Sequence, residues 1–341
     1  MDRLYLFPVT AKIENDQLRI AGHNLAALAD RYQTPLYVYD RATLDSAVSD
    51  YKSALASFYP EVGSVTYAGK AFLCLALAQW TQFHDLTVDC TGEGEIAIAV
   101  AGGVPRERIL VHGVNKSVDD LNAALHHAGT IVVDNLTELE RISTQVDRYT
   151  STHVSLWLRL LPGLAVATHH THTQTGQHDS KFGMTREEIW QAVQISKSAN
   201  LRVNGIHFHQ GSNFRDPEPL IPAIELALDL AKEIGFKDEW HFCPGGGWGA
   251  AYHEDELPHP SIQSYVRGIA EAVIEGCRQR GLALPACIWN RGATLWRGRE
   301  WQFIAWGRSN GGAAKPGCRQ TAVWRTILGM RFTGRDTPVC R

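Results

Sequence analysis

Short runs of β-branched and apolar residues alternate with longer amphipathic stretches along most of the chain from residue 36 onward. The longer stretches, such as residues 71–83 and 218–234, place apolar residues at i, i+3 and i+4, which is typical of helices with one buried face. Strands that alternate with helices in this way predict parallel βαβ units. The runs that predict strands are residues 64–68, 86–89, 109–112, 130–134, 154–160, 203–209 and 240–243.

An eighth strand is expected near residues 284–290. The repeat predicts a (β/α)8 barrel of the TIM type, and a doubly wound open sheet is the second possibility. Before the repeat, residues 4–22 predict one or two short strands with no crossover helix after them. We therefore expect residues 1–33 to be N-terminal strands of a separate β domain and residues 34–285 to form the barrel.

Charge and cysteine usage exclude several classes of protein. The net charge is only −3 over 341 residues, which argues against a nucleic-acid-binding domain. Residues 286–341 nevertheless carry nine Arg and one Lys against one Glu and one Asp, which leaves a net −11 on residues 1–285. The seven cysteines form no CxxC pair, and the chain shows neither a secretion signal nor an apolar run of about 18 residues. We expect a cytoplasmic protein that binds neither nucleic acid nor membrane.

Polar residues and glycines lie at the ends of the predicted strands or directly after them, where the active sites of parallel barrels lie. Each one alone has an ordinary interpretation, such as a surface lysine or a structural histidine. Their common position on one rim indicates a functional site. These residues are Lys70, Asp89, His112, Arg159, His209 and Gly245 to Gly247.

A lysine and a glycine-rich turn on one rim suggest a particular cofactor. Lys70 follows the first barrel strand, where its amine can form a Schiff base with an aldehyde. Gly245 to Gly247 follow the seventh strand, and such a turn lets backbone N–H groups approach a phosphate closely. The two features together predict pyridoxal phosphate. Taken alone, the glycine turn is equally consistent with a flexible loop.

Six motifs, in the same order, resemble those of the fold-type III pyridoxal-phosphate decarboxylases. The resemblance runs from about residue 30 to residue 285 and implies an alanine-racemase-like barrel. Within this family the motifs are most similar to those of diaminopimelate decarboxylases, and ornithine, arginine and carboxynorspermidine decarboxylases share most of the barrel. The motifs are TPLYVYD (34–40), YAGKA (67–71), HGVNKS (112–117), TGQHDSKFG (175–183), HFHQGS (207–212) and GGGWG (245–249).

The resemblance implies a role for each matching residue. Lys70 would be the Schiff-base lysine, and His209 would stack on the cofactor ring. Ser212 and Gly245 to Gly247 would bind the phosphate. The remaining pocket residues would be Asp89 and Arg159. The family reaction implied is the decarboxylation of meso-diaminopimelate to lysine, by a cytoplasmic homodimer that binds a small amino-acid substrate.

Two other kinds of chemistry are conceivable. A histidine-rich segment could hold a metal, but no carboxylate or cysteine completes a familiar ligand spacing, so we expect no metal site. Cys90 follows Asp89 and could be a nucleophile, but burial at a strand end is the better explanation. The histidines of the segment are His169, His170, His172 and His178.

The resemblance stops at the predicted eighth strand. It implies the motif EPGR there, with a Glu that keeps the pyridinium nitrogen protonated, but residues 287–292 are CIWNRG. Trp has the single codon TGG, so reading one base out of phase across Trp289 and Asn290 gives GAA, a forced Glu. Permitted synonymous codons extend the shifted string to HLEPGR. We hypothesise that residues 286–341 are an out-of-frame tail that replaces barrel strand 8 and the C-terminal β domain, which would then be incomplete.

This hypothesis changes what we expect of the chain. Without the family's Glu we expect little or no turnover, and we expect residues 286–341 to be poorly packed. The Trp- and Arg-rich stretch 287–306 is then a product of the shifted frame rather than a surface for nucleic acid or membrane. Two alternatives remain open, namely another basic amino-acid decarboxylase and a barrel that binds the cofactor without catalysis.

Overall fold

The structure is a computed structural model. The chain divides into two compact units, residues 1–47, 251–257 and 296–341 in one and residues 48–250 and 258–295 in the other. Most of the tail, from residue 292 onward, lies outside the described residues. The residues that the structure describes are 7–34, 36–146, 154–164, 176, 180–212, 214–237, 239–249 and 261–291.

Three short antiparallel strands followed by a helix lie in the first unit. Asn15 and Asp16 join the first two strands with φ angles of 53° and 56°, which suit a tight hairpin loop. The helix begins after Asn24, whose side chain accepts a hydrogen bond from the N–H of Ala27 at 3.0 Å. β1 and β2 lie within residues 4–22, where one or two short strands were expected, whereas β3 and the helix were not indicated because β3 is too short to show alternation. The elements are β1 Lys12–Glu14, β2 Gln17–Ile20, β3 His23–Asn24 and α1 Leu25–Tyr32.

Eight strands form a closed barrel, which confirms the predicted fold and excludes the open sheet. Each strand pairs in parallel with its neighbours in the sequence, and the last pairs with the first. The strands are β4 Gly63–Ala68, β5 Thr87–Cys90, β6 Ile109–Val111, β7 Thr130–Val133, β8 Ser155–Arg159, β9 Val203–His207, β10 His241–Cys243 and β11 Ala286–Arg291.

Helices precede and connect these strands, as the amphipathic stretches predicted. Local sequence explains several of their ends. Ser117 and Thr185 each form a capping box with the acidic residue three positions later. Gly235 and Gly281 end two helices in the left-handed conformation, at φ values of 83° and 65°. The helices are α2 Arg41–Phe58, α3 Leu75–Phe83, α4 Glu93–Ala101, α5 Val118–His127, α6 Leu136–Val146, α7 Arg186–Ser198, α8 Ile221–Ile234 and α9 Ile262–Arg280.

The closing strand, β11, lies where the repeat predicted an eighth strand, near residues 284–290, and extends the barrel past the expected boundary at residue 285. Its residue Trp289 pairs in register with Val65 of β4, and its first residue pairs with His241 of β10. Cys287 is fully buried, and Trp289 is 1% exposed. Residues 286–291 thus form the eighth barrel strand even though they do not match the family motif, because strand pairing uses the backbone and the side chains of Cys287 and Trp289 are apolar and buried.

An apolar cluster fills the barrel interior below the carboxyl ends of the strands. The strand pleat sends alternate side chains to this interior. Gly205 of β9 lies opposite Trp157, and a Cβ added to it would approach the indole Cδ1 to 2.4 Å. Glycine at this position therefore leaves room for the largest side chain of the interior. The buried residues of the cluster are Leu110, Val132, Trp157 and Cys243, with partly buried Ile288 packed against them.

Replacing Gly205 with Ala is expected to destabilise the barrel by about 1–3 kcal/mol, because the methyl group overpacks the interior against Trp157. Urea unfolding of the full chain measures this effect. Gly94→Ala is the matched control, since an added Cβ there meets no atom within 4 Å and α4 tolerates alanine. Equal unfolding midpoints for the two variants would contradict the packing account.

Candidate active site

Polar residues at the carboxyl mouth of the barrel continue the inner face of the strands. Each lies two positions after a residue of the interior cluster, so the pleat directs its side chain into the same cavity. All of these mouth residues are buried. The interior and mouth residues pair as Leu110 with His112, Val132 with Asp134, and Trp157 with Arg159.

Lys70 lies in a 3-10 turn, Gly69–Ala71, that directly follows β4. It is exposed, whereas Gly69 beside it is buried. A Cβ added to Gly69 would lie 3.0 Å from the carbonyl oxygen of Asp89 and 3.2 Å from a carboxylate oxygen of Glu95. Glycine at position 69 therefore lets the turn that carries Lys70 approach the end of β5 closely.

A chain of polar side chains crosses the mouth from β5 toward β9. An oxygen of Asp89 lies 3.7 Å from Nδ1 of His112, which is too long for a direct hydrogen bond. The ring of His112 in turn meets that of His207 edge-on, with 4.8 Å between the centroids. Both histidines are buried, and none of their ring nitrogens has a hydrogen-bond partner among the described residues. Such groups raise the free energy of the folded protein unless a ligand or water satisfies them.

Two buried ion pairs hold the cationic side chains of the mouth against carboxylates. Arg159 donates from Nη1 to Asp134 at 2.7 Å, and both side chains are 3% exposed. The guanidinium carbon also lies 4.6 Å from the ring centre of Phe182. Lys116 donates to Glu138 at 2.8 Å and to two backbone carbonyls at the same distance. Both cations are thus held by carboxylates, as buried charges require.

The three histidines of the site are held neutral. Burial lowers the pKa of His207, and the positive charge of Arg159 lowers it further. Burial likewise lowers the pKa of His209, with Lys70 and Arg159 adding to the effect. For His112 burial is again the main cause of the lowered pKa. At neutral pH these rings can therefore stack on a ligand or accept a hydrogen bond from it without introducing charge.

The glycine turn after β10 has no room for side chains. A Cβ on Gly245, at φ 76°, would lie 2.5 Å from the carbonyl oxygen of Phe208. A Cβ on Gly247, at φ 103°, would lie 2.2 Å from that of Gly211. Between them, the N–H of Gly246 donates to Nδ1 of His209 at 3.4 Å. The turn is therefore packed against the loop after β9 rather than being a flexible connection.

Most of the residues expected at the site meet at this mouth. His209 is among them, but it lies on the loop two residues beyond the end of β9, whereas the sequence placed it at the end of the strand. Ser212 is exposed on the same loop. The residues brought to one rim are Lys70, Asp89, His112, Arg159, His209 and Gly245 to Gly247.

Several members of the site were missed from the sequence. Asp134, His207 and the pair of Lys116 with Glu138 lie at the same mouth. Side chains two positions apart in a strand lie on the same face. Asp134 and His207 follow the inner-face residues Val132 and Gly205 at this spacing, which could have identified them. No comparable signal marks the lysine and glutamate, because they meet from separate segments.

The two other kinds of chemistry considered have different outcomes. Cys90 is fully buried, as expected, and burial together with the Asp89 charge raises the pKa of its thiol. The structure therefore gives it the environment of a core residue. Among the described residues no group of three potential metal ligands occurs. The histidines proposed for such a site, His169, His170, His172 and His178, lie outside the described residues.

This chain belongs to the pyridoxal-dependent decarboxylases, because the family model for "Pyridoxal-dependent decarboxylase, pyridoxal binding domain" matches its residues 41–288. Members of this family use pyridoxal phosphate. The chain is 35% identical over 295 residues to the diaminopimelate decarboxylase of Bacillus subtilis, covering 84% of this chain and 66% of that one. It thus spans slightly less than two thirds of that relative's length.

Solved structures support the same class. Diaminopimelate decarboxylase from M. jannaschii in complex with L-lysine has a TM-score of 0.75 and 25% identity, covering 84% of this chain and 67% of that one. The enzyme from Helicobacter pylori with L-lysine has a TM-score of 0.70 and 26% identity, covering 80% and 67%. Within the part of the chain that the structure describes, none of the helices is long and apolar enough to cross a bilayer.

The neutral state of His207 predicts a pH dependence of stability. Its pKa is lowered in the folded state, so the unfolded chain binds its proton first as the pH falls below about 6.5. Its contribution to stability is therefore full above about pH 6.5 and declines as the pH falls toward the folded-state pKa. In His207→Gln the loss of stability between pH 6.5 and pH 5.5 is expected to be smaller by about 1 kcal/mol.

Urea unfolding at pH 7.5, 6.5 and 5.5 tests this expectation. His127→Gln, at an exposed position on α5, is the control. A His207→Gln protein with the same pH dependence as the wild type would contradict a neutral, buried His207.

Proposed function

We propose that the mouth of this barrel binds pyridoxal 5′-phosphate through Lys70 and that the fold serves a diaminopimelate decarboxylase. The observation that carries the proposal is the common position of Lys70, the neutral His209 and the packed turn Gly245 to Gly247 on one rim. A lysine for an aldehyde and backbone N–H groups for a phosphate are the two attachments that this cofactor needs.

The residues present fit the cofactor. Lys70 would form the covalent bond to the aldehyde, and neutral His209 would lie against the ring. Ser212 and the N–H groups of Gly245 to Gly247 would hold the phosphate, with the N–H of Gly246 turning to it from Nδ1 of His209. The buried ring nitrogens of His112 and His207 lack partners within the described part of the chain, so they are available for polar groups of a ligand.

The charges of the mouth would then organise the reaction. Bound pyridoxal phosphate supplies an electron sink for the carbanion left by departing carbon dioxide. Asp89 and Arg159 would shape the pocket, and Asp134 would hold the guanidinium in place. With substrate bound, the Lys70 amine would hold a proton at Nζ and deliver it to the product. Burial of Asp89, Asp134 and Arg159 would keep water from the charged floor of the pocket, below the exposed Lys70.

The substrate proposed is meso-diaminopimelate, and the product is lysine. This rests on the similarity to the Bacillus subtilis enzyme and to two structures that contain L-lysine. We further propose a homodimer in the cytoplasm, as the family resemblance implies. A panel of basic amino acids in a carbon dioxide release assay would distinguish this substrate from ornithine, arginine or carboxynorspermidine.

A barrel that binds the cofactor with little turnover is the second candidate. It is favoured by β11, which contains neither Asp nor Glu. The family match also ends at residue 288, inside that strand. We therefore retain the proposal that residues 286–341 are read out of frame, and that the acid of the family motif would stand at the level of Trp289 and Asn290.

Lys70→Ala is expected to abolish covalent cofactor binding, because the amine that bonds the aldehyde is removed. The wild-type chain mixed with pyridoxal phosphate should develop a visible absorbance band and, after borohydride reduction, a permanent mass increase on the peptide that contains Lys70. Lys52→Ala, on α2, is the control and should retain both signals. A wild-type protein with neither signal would refute cofactor binding and with it both candidate functions.

Sequencing the underlying DNA tests the reading frame. We expect a single-base insertion or deletion near codons 284–286 whose correction restores a longer open frame beginning with HLEPGR. The corrected protein should release carbon dioxide from meso-diaminopimelate at least about a thousandfold faster than the present chain, equivalent to about 4 kcal/mol of barrier. Absence of any such base, or equal rates, would overturn the frame hypothesis.

A further inference from the structure

The turn that carries Lys70 is closed by a hydrogen bond from the strand before it. Tyr67 lies three residues before Lys70, and its hydroxyl donates to the carbonyl oxygen of Phe72, two residues after Lys70. The chain from residue 67 to residue 72 and this hydrogen bond together form a ring that contains Lys70. The side chain of Tyr67 is fully buried, so water does not compete readily for the contact.

The ring of Tyr67 is anchored on the outer side of the barrel. It meets the indole of Trp80 on α3 edge-on, with 6.2 Å between the centroids and 80° between the planes. Successive side chains of a strand point to opposite faces of the sheet. Thr66 therefore faces the barrel interior, and Tyr67 faces away from it. Tyr67 therefore does not line the site and can affect it only through the turn.

The opposite side of the turn is restrained by β5 and α4. Gly69 approaches the carbonyl oxygen of Asp89, as described above, and the carboxylate of Glu95. That carboxylate is itself held by Thr91, whose N–H and hydroxyl donate to it at 2.6 Å and 3.0 Å. One face of the turn is thus fixed by packing, and the Tyr67 hydroxyl supplies the restraint at its far end.

We propose that Tyr67 is a positioning residue for Lys70, acting through the Phe72 carbonyl to hold the turn in the conformation that presents the lysine at the barrel mouth. The proposal rests on the proposed role of Lys70. A long, exposed side chain loses less freedom on reacting when its backbone is already fixed, and a displaced backbone moves the amine away from the aldehyde. The hydroxyl is the part of Tyr67 that matters here, since phenylalanine would keep the packing against Trp80.

A matched pair of substitutions isolates this role. Tyr67→Phe removes the hydroxyl that closes the Lys70 turn. Tyr59→Phe removes an equivalent hydroxyl, which donates to the carbonyl oxygen of Pro285 at 2.6 Å. Pro285 precedes β11, so this second contact lies at the amino end of the barrel, away from the mouth. Both variants lose one hydrogen bond from a tyrosine hydroxyl to a backbone carbonyl.

Two measurements on the full chain decide the proposal. Hydrogen exchange of the peptide spanning residues 68–74, without cofactor, reports on the turn itself. Loss of one such bond should speed its exchange about fivefold in Tyr67→Phe and leave it unchanged in Tyr59→Phe. The rate of covalent capture of pyridoxal phosphate, followed by absorbance, should fall about fivefold in Tyr67→Phe alone.

Unchanged exchange in Tyr67→Phe, or equal effects in the two variants, would overturn the proposal. If the wild-type chain captures no pyridoxal phosphate, the proposed function fails, and the exchange measurement still decides whether Tyr67 holds the turn. If exchange accelerates but capture does not slow, Tyr67 has a structural role only and the positioning proposal is wrong.

Discussion

Hydrogen bonding between β11 and β4 closes the barrel, and every distance across its mouth depends on that closure. In an open sheet, Asp89 on β5 and His207 on β9 would belong to separate regions of the sheet. In the closed barrel, His112 comes between them, 3.7 Å from Asp89 and with its ring centre 4.8 Å from that of His207. The closure also places the Lys70 turn after β4 and the glycine turn after β10 on the same rim. The chemistry of the mouth is thus a consequence of strand pairing at a remote position in the sequence.

Charge balance is the second condition for the site. Arg159 and Lys116 are each buried with a carboxylate, so the pairs carry little net charge, and burial is the main cause that keeps the nearby histidines neutral. Neutral histidines can form hydrogen bonds with the polar groups of a ligand without adding another buried charge. The same burial that makes the site costly to fold makes its electrostatic interactions strong.

The sequence alone predicted the barrel because two patterns are easy to recognise. Apolar residues at helical spacing mark the helices, and short β-branched runs between them mark the strands. It indicated Lys70, Arg159 and the glycines as candidates because they lie near the ends of those runs or directly after them, and their roles stay predictions. It did not predict the partners of these residues, since the contacts of Arg159 with Asp134 and of Lys116 with Glu138 join segments 22 to 25 residues apart. The two-residue strand β3 was missed because no pattern fits into so short a segment. Strand periodicity predicted the eighth strand near residues 284–290, whereas motif matching ended the barrel at residue 285, because motifs report side-chain chemistry and β11 is held by backbone pairing and by the burial of Cys287 and Trp289.

The position of β11 in the chain has a consequence for biosynthesis. Its partner β4 leaves the ribosome more than two hundred residues earlier, so β4 and β10 each keep an unpaired edge until residue 291 has been translated. Unpaired edges are templates for association with other chains. Protection of the nascent barrel therefore depends on β11, and the exposure ends when that strand pairs with both of its neighbours.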